Sequence, residues 1–378
     1  MTLALVIEWL IKGLVLVLIL LGGFAYLTLY ERKALARIQV RIGPNRAGPW
    51  GILQPIADAI KLIFKEELMP AQADKLIFFL APVVTLVPAL VITAVVPWGP
   101  TLTVFGHKLT LYIADINVGL LYIMSVASIS VYGIVLAGWS SNNKYAMMGG
   151  MRSSAQMISY EIALGLSFVS AILLADSMRM LDIVAAQKNL WFVLLQPVGT
   201  AIFLIATLAE VNRPPFDMPE AEQELTAGYH AEYSGMKFAL LFMAEYDKMI
   251  AISMIGATLF FGGYREFWFL SNTVFSVDRT PWLGPVYLFV KLVILLFGMI
   301  WVRATFPRIR YDRLMAFGWK VLLPLSLAVV FITAVGIILA EQINPLWMWG
   351  IPAVSLLVGI FAIAMIDREL RRKDYARR

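Results

Sequence analysis

The chain has 378 residues, of which 60% are hydrophobic and only 15% are charged, and its formal net charge is +6. Apolar runs of roughly 20 residues, the length that crosses a bilayer, recur along the chain, so the composition excludes an ordinary soluble protein. There is no cysteine, and the two histidines, His107 and His230, are far apart in sequence. We therefore expect no bound metal, flavin or iron–sulfur cluster in this chain.

The first apolar run, 7–30, is predicted to be a retained membrane helix, because it lacks a basic leader and a small-residue cleavage site and is too long for a signal sequence. The fold class is therefore all-α polytopic membrane protein, and the whole chain, 1–378, is predicted to be one integral membrane domain. About nine transmembrane helices are expected, at 7–30, 76–97, 115–138, 155–175, 190–210, 245–263, 284–302, 319–340 and 347–366.

The basic residues predict the orientation of these spans. The segments after the odd-numbered spans carry 23 Lys and Arg, whereas those after the even-numbered spans carry 5. Positive loops stay on the inner side of a membrane. The N-terminus is therefore predicted to lie outside and the C-terminus inside, with both long connecting segments, 31–75 and 211–244, on the inner face. We expect partner proteins to dock on that face.

The inner segment 31–75 is predicted to contain a helix that lies in the membrane interface. Gln54, Asp58, Lys61 and Lys65 recur at steps of four, three and four residues, so they share one helical face, and the isoleucines of this stretch fall largely on other faces. Two interpretations remain open. The helix is an ordinary amphipathic connector, or its polar face borders a cavity through which an amphipathic substrate enters from the lipid.

The inner segment 211–244 is predicted to form a rigid turn followed by an acidic loop. Pro214, Pro215 and Pro219 exclude a regular helix, so Arg213, Phe216 and Asp217 are expected on an extended turn. Acids follow in the loop and at the ends of the neighbouring spans. They are Glu210, Glu220, Glu222, Glu224, Glu232 and Glu245.

Acids inside the spans make this cluster more than a solvated loop. Glu161 is expected about six residues inside the fourth span, on the order of 10 Å deep at ~1.5 Å per residue. A carboxyl group at that depth needs a partner, a proton or water. Carboxyl groups that are partly buried together titrate as a coupled set, which is what a proton relay requires.

The basic side chains discussed next each have two interpretations. Arg303, Arg308, Arg310 and Arg313 lie on the predicted inner face, where they either follow the positive-inside rule or also pair with the acids. Lys291, in the middle of a span, either pairs with an acid from another span, which we favour, or extends to the interface. His230 either titrates near neutral pH or only makes hydrogen bonds.

Four long stretches resemble one known family. They are ERKALARIQVRIGPNRAGPWGILQPIADAIKLIFKE, SNNKYAMMGGMRSSAQMISYE, AEVNRPPFDMPEAEQELTAGYHAEYSGMKFALLFMAEY and WVRATFPRIRYDRLM. They are similar to the H subunit of bacterial NADH–quinone oxidoreductase, respiratory complex I, which is equivalent to mitochondrial NADH dehydrogenase subunit 1. The resemblance runs from the first span to the eighth, and the ninth span with its basic tail suits the bacterial members better. It implies a multi-pass protein of the bacterial inner membrane.

The resemblance also implies which residues carry the function. The chain would form much of a quinone chamber, with quinone as substrate, and the positions that match the family's quinone tunnel are Arg41, Trp50, Asp58, Arg213, Phe216 and Asp217. The proton-coupling acids of the family match Glu161, Glu210, Glu220, Glu222, Glu224, Glu232 and Glu245. Electrons would reach quinone from an iron–sulfur cluster in a neighbouring subunit, and the carboxylate chain would pass the resulting charge change towards the proton pumps.

The implied partners are the peripheral-arm subunits on the inner face, small membrane subunits beside the chain, and membrane lipid, without nucleic acid. Two alternatives remain. The chain is the corresponding subunit of a ferredoxin-fed or hydrogenase relative of complex I, or it is a stand-alone secondary transporter that uses the acids for cation coupling. The long inner-face segments favour a docking surface and hence a role within a larger complex.

Overall fold

The computed structural model describes residues 3–104, 107–217, 227–267, 270 and 274–375, and within these ranges the protein is a bundle of long apolar helices. In chain order the helices are α1 (Leu3–Ile38), α2 (Gln54–Phe64), α3 (Lys75–Ile92), α4 (Gly119–Ser140), α5 (Lys144–Ala175), α6 (Met180–Ala186), α7 (Phe192–Leu195), α8 (Pro197–Glu210), α9 (Gly235–Phe260), α10 (Gly284–Thr305), α11 (Tyr311–Phe317), α12 (Leu323–Gln342) and α13 (Gly350–Tyr375).

Short elements join these helices. One hairpin pairs β1 (Leu102–Val104) antiparallel with β2 (His107–Leu109). Single turns of 3-10 helix lie at Pro49–Gly51, Thr93–Val95, Gly228–His230, Pro281–Leu283 and Pro345–Trp349, and a π-helical turn at Gly318–Leu322 connects α11 to α12.

Seven helical segments within the described ranges are long and apolar enough to cross a membrane, which confirms an all-α polytopic membrane protein. The other two predicted spans coincide with α8 and α9. Helix α8 has 14 residues, short for a hydrocarbon layer of about 30 Å. Helix α9 is long enough, but charged side chains interrupt its apolar sequence. The exact number of spans and their orientation stay predictions.

Two predicted boundaries are wrong for local reasons. The span expected at 155–175 begins at Lys144, because Asn143 caps the helix by accepting from the backbone N–H of Tyr145 at 3.0 Å. The span expected at 190–210 is broken at Gln196, whose φ of −133° and ψ of 64° are not helical. The ring of Pro197 disfavours the helical conformation for the residue before it.

Helix α5 occupies the centre of the bundle. It packs against α4, α8 and α12, while α3 packs against α4 and α9, and α1 packs against α9 and α10. The main apolar core lies where α5, α8 and α9 meet, and Tyr160, Phe203 and Phe260 are among its fully buried side chains. Three of the acids that the sequence singled out, Glu161, Glu210 and Glu245, lie on these three helices.

Candidate functional site

Glu31, near the inner end of α1, binds two arginines from distant parts of the chain. Its side chain is buried, and Oε1 accepts from Nη1 of Arg213 at 3.3 Å and from Arg303 on α10. The guanidinium group of Arg213 also lies over the ring of Tyr246, 4.2 Å from its centroid. A buried carboxylate is stable only with such partners, so this cluster fixes the start of the turn between α8 and α9.

The turn from Val211 to Asp217 is buried against α5. Asn212 has a positive φ of 54°, a conformation that asparagine adopts more readily than most residues, and the Pro214–Pro215 peptide bond is cis. The ring of Phe216 packs against Tyr160 at a centroid distance of 5.7 Å. The sequence thus correctly predicted an irregular turn at the prolines.

Asp217 ends the described part of this turn, and Oδ2 of its buried carboxylate accepts from Nη2 of Arg308 at 2.7 Å. Arg308 thus pairs with one acid of the predicted cluster, whereas Arg303 pairs with Glu31, which lies outside that cluster. Arg310 instead pairs with the exposed Asp312 at 3.1 Å, a surface contact.

Three predicted proton-coupling acids have polar partners inside the bundle. Oε1 of Glu210 lies 3.5 Å from Nζ of Lys248 on α9. Oε1 of Glu245 accepts from the hydroxyl of Tyr229 at 2.7 Å and lies 3.2 Å from Nε2 of His230. Glu161 accepts from the hydroxyl of Ser128 on α4. Because α5 begins earlier than predicted, Glu161 lies 17 residues beyond the first helical residue, Lys144.

Of the remaining predicted acids, only Glu232 belongs to the part of the chain that the structure describes. Oε1 of the half-buried Glu232 accepts from the amide of Asn143 at 2.6 Å. Glu220, Glu222 and Glu224, together with the expected helical spacing of Glu220 and Glu224, lie outside the described residues.

The sequence analysis missed Lys248 as the partner of Glu210 and did not consider Asp247. Asp247 is completely buried in α9, and neither carboxylate oxygen has a hydrogen-bond partner among the described residues. A signal was available, since adjacent charged residues in a predicted span are costly in hydrocarbon. They carry no known motif, however, and the Glu210 contact joins residues 38 positions apart.

The predicted interfacial helix is α2. Asp58 on its polar face accepts from Arg32 at 2.6 Å and from the amide of Gln54 at 3.1 Å. The isoleucines predicted on other faces are about half exposed, as suits a helix in contact with lipid. Lys65 does not belong to the polar face, because the helix ends at Phe64 and Lys65 is extended.

A cavity of about 330 Å³ lies between α1, α2 and α9. Its walls are mostly apolar, with Phe24 from α1, Leu62 from α2 and Phe242 from α9, whereas Arg32, Asp58 and Lys61 give it a charged side. Such a space fits a molecule with an apolar body and a polar head. The interpretation of α2 as the border of a substrate cavity is therefore favoured over that of a simple connector.

A set of polar and aromatic contacts joins the segments next to this cavity. Nζ of Lys237 at the start of α9 binds Oε2 of Glu67 at 3.0 Å, and the hydroxyl of Ser234 accepts from the N–H of Leu68 at 2.9 Å. The ring of Tyr233 stacks on Phe78 at 4.1 Å, and burial raises the pKa of its phenol to about 12. The loop between α2 and α3 is thus attached to α9.

Two of the predicted quinone-binding residues, Arg41 and Trp50, have partners or surroundings different from those of the buried residues Arg213, Phe216 and Asp217. Nε of Arg41 donates to the side chain of Gln39 at 2.7 Å, and Trp50 is 78% exposed with a positive φ of 56°. No hydrogen bond in the described chain links either of them to Arg213, Phe216 or Asp217.

The favoured interpretation of Lys291 is wrong within the described chain. Its ammonium group donates to the carbonyl oxygens of Gly263 at 2.9 Å and Arg265 at 2.7 Å, and it lies 4.4 Å from the ring centroid of Trp191. The direct contacts of this buried ammonium group are therefore with carbonyl dipoles and an aromatic face, and it forms no ion pair with an acid in the described chain. Lys291 thus supports the loop after α9 and lies away from the inner-face site.

The described residues offer two kinds of chemistry at the inner face. The cavity beside α2 suits an amphipathic ligand, and the buried acids Glu210 and Glu245, which lie close to ammonium, hydroxyl and imidazole groups, suit the movement of protons or charge. No group of three or more His, Asp or Glu residues in the described ranges has the arrangement of a metal site.

Comparison with known proteins gives one consistent result. The profile of the family described as NADH dehydrogenase matches residues 11–334. An H subunit of NADH-quinone oxidoreductase from Syntrophobacter fumaroxidans is 50% identical over 326 residues, which cover 86% of this chain and 94% of that protein. The H subunit of the same enzyme from Thermomicrobium roseum is 45% identical over 360 residues, which cover 93% and 98% of the two chains. One from Geobacter metallireducens is 50% identical over 310 residues, or 82% and 90%.

Proposed function

The chain belongs to the family of H subunits of NADH-quinone oxidoreductase, and from this membership we propose that it forms part of the quinone chamber of that enzyme and couples quinone reduction to proton translocation. It is a membrane subunit of a multisubunit NADH:quinone oxidoreductase, as its relatives are named. The observation that carries the proposal is that the Arg213–Asp217 turn directly follows the buried acid Glu210, while a second buried acid, Glu245, lies on the next long helix, α9.

Quinone enters from the lipid beside α2. The cavity between α1, α2 and α9 supports this step, because its aromatic and aliphatic walls suit an isoprenoid tail and its charged side, at Arg32 and Asp58, suits a polar head group. The exposed isoleucines of α2 suit a helix at the level of the lipid.

The turn beyond the cavity takes part in binding the head group. Arg213 and Asp217 are each held by an opposite charge, at Glu31 and Arg308, and Phe216 contributes an aromatic ring between them. Arg41 and Trp50, exposed on the inner segment, complete the chamber with the peripheral-arm subunits. Electrons arrive from those subunits, because this chain has no cysteine with which to hold an iron–sulfur cluster.

Quinone reduction is coupled to proton movement through the buried acids. A change of charge in the chamber alters the electrostatic potential at Glu210 and Glu245, and low dielectric makes that effect large. Glu161 and Glu232 extend the set within the described chain, and Glu220, Glu222 and Glu224 belong to it by family resemblance. The change is passed to small membrane subunits beside the chain, in a bacterial plasma membrane.

One experiment tests the proposal. Glu210→Gln in the assembled enzyme, reconstituted in vesicles, should reduce both quinone reduction and proton pumping, while NADH oxidation by ferricyanide stays unchanged. Glu341→Gln, an exposed acid at the end of α12, is the matched control. Pumping at the wild-type rate in Glu210→Gln would contradict a coupling role. Ion transport by the isolated chain in liposomes would instead support a stand-alone transporter.

A further inference from the structure

Gln156, in the middle of α5, is a completely buried amide that contacts both ends of the turn between α8 and α9. Its Nε2 lies 2.8 Å from the carbonyl oxygen of Ala209, 3.2 Å from Oδ1 of Asn212 and 2.7 Å from the carbonyl oxygen of Phe216. Three residues spread over the turn therefore converge on one side-chain nitrogen.

The three acceptors fix the orientation of this amide. Carbonyl oxygens only accept hydrogen bonds, so the NH₂ group and not the oxygen must face Ala209 and Phe216. The amide nitrogen has two N–H groups, and the two shorter contacts are those to the main chain. Oε1 of Gln156 is buried and has no hydrogen-bond partner among the described residues. Since the acceptor of Gln156 is unsatisfied, this amide contributes to the structure through its two N–H donors.

The same face of α5 makes the other contacts to the turn. Ser153 and Met157 lie one turn of helix apart, and the amide of Asn212 contacts Oγ of Ser153 at 3.2 Å and the sulfur of Met157 at 3.7 Å. Tyr160, one turn further along, packs against Phe216. The turn thus packs on a single row of α5, and within the described chain Gln156 supplies the only side-chain donor to the main-chain carbonyls of Ala209 and Phe216.

The residues joined by Gln156 flank the proposed functional groups. Ala209 precedes Glu210, Phe216 precedes Asp217, and Glu161 lies five residues beyond Gln156 on the same helix. A displacement of the turn of more than a few tenths of an ångström breaks a bond of 2.7–2.8 Å or moves α5 with it.

We propose that Gln156 is a positioning residue that links the chamber turn to the buried acids, holding the peptide groups beside Glu210 and Asp217 in fixed register with α5. This inference rests on the proposed function, since it concerns how binding at the turn reaches the acids. Its basis is geometric: one uncharged side chain ties the two ends of the turn to the helix that carries Glu161.

The first test compares two buried amides in the assembled enzyme. Gln156→Met keeps the shape of the side chain and removes both donors. Gln196→Met is the control. Gln196 is equally buried, and its amide donates to the carbonyl of Ser170, towards the far end of α5, and to the hydroxyl of Thr333 on α12. Gln156→Met should raise the KM for a short-chain quinone by about 10-fold. The control should leave that KM unchanged, and both should keep NADH:ferricyanide activity.

The second test uses pH. Gln156→Glu places oxygens opposite three acceptors, and only the protonated carboxyl group can donate to one of them. Quinone reductase activity of this variant, relative to wild type, should therefore recover as the pH falls, whereas the relative activity of Gln156→Met should be independent of pH. A residue that merely fills space would give no such difference. If Gln156→Met fails to assemble, the variants Gln156→Glu and Asn212→Gly are used in its place to test the positioning role of Gln156.

The outcomes separate this inference from the proposed function. A wild-type KM in Gln156→Met, or equal changes in the Gln156 and Gln196 variants, would overturn the positioning role. If Asp217→Asn and Glu210→Gln are impaired while Gln156→Met is not, the inference fails and the proposed function stands. If Asp217→Asn and Glu210→Gln retain full coupled activity, the proposed function itself fails.

Discussion

The ammonium group of Lys248 lies 3.5 Å from Oε1 of Glu210, and both side chains are more than nine-tenths buried. The second oxygen of Glu210 has no hydrogen-bond partner among the described residues. Lys248 is therefore the counter-charge that stabilises Glu210 as a carboxylate inside the bundle, and each side chain depends on the other.

The first prediction concerns this pair. Lys248→Met should destabilise the protein by about 3–5 kcal/mol, because it leaves an acid buried without its counter-charge. The double variant Lys248→Met with Glu210→Gln should recover most of that loss, since neither charge then remains. The measurement is the melting temperature and yield of the assembled enzyme. Lys188→Met is the control, because Lys188 pairs with Asp278 on the surface at 3.1 Å. Additive losses in the double variant would show that the pair is not coupled.

The second prediction concerns the hydroxyl group of Tyr229. Its bond of 2.7 Å to the buried Glu245 is assisted by charge, and bonds of this kind contribute roughly 1.5–3 kcal/mol. Tyr229→Phe should lower coupled quinone reduction by about 10-fold while the ferricyanide activity is kept. Tyr145→Phe, at a half-exposed ring on α5, should have no effect. Unchanged pumping in Tyr229→Phe would remove Tyr229 from the coupling chain.

The third prediction tests the cavity beside α2. Ala59 and Ala57 are both exposed residues of α2, but only Ala59 lines this cavity. Ala59→Trp should fill the space and raise the KM for a long-tailed quinone by roughly 10-fold, with a smaller effect on a short-tailed analogue. Ala57→Trp serves as the matched substitution.

Photolabelling tests the position of the quinone site directly. A photoreactive quinone should label 41–58 or 213–217, and labelling confined to the outer loops would refute the placement of quinone at these segments.

The fourth prediction concerns Lys291 at the opposite end of the bundle. Lys291→Met should destabilise the protein by about 2–4 kcal/mol, because two buried carbonyl oxygens lose a charged donor. Quinone reductase activity per assembled enzyme should stay at the wild-type level. Thermal unfolding and activity of the purified enzyme check both statements, with the exposed Lys320→Met as control. A selective loss of coupled activity would assign Lys291 a functional role that the structure does not indicate.

Local features of the fold were predictable from the sequence. The polar spacing of Gln54, Asp58 and Lys61 identified α2, and the run of prolines identified the buried turn, because both depend on neighbouring residues only. The break before Pro197 could have been predicted by the same rule and was overlooked. The roles of the acids and of the turn come from the family resemblance, and they stay predictions.

Contacts between distant residues could not be predicted in this way. Glu31 meets Arg213 and Arg303 across 182 and 272 residues of sequence. Lys291 was expected to find an acid, yet the nearest suitable partners in space are backbone carbonyls, which no sequence pattern distinguishes. Gln156 carries no charge, and although it lies in one of the family-like stretches, its role is indicated by the convergence of its three acceptors.

The attachment of the α2–α3 loop to α9 through Lys237, Glu67 and Ser234 has a consequence for substrate selection. These contacts tie the loop that follows α2 to the start of α9, and both helices line the cavity, so they restrain the separation of α2 from α9. On the proposed entry route, a quinone passes by bending its own tail and rotating its head group. We expect an enzyme built around this chain to discriminate against rigid or broad head groups while tolerating large differences in tail length.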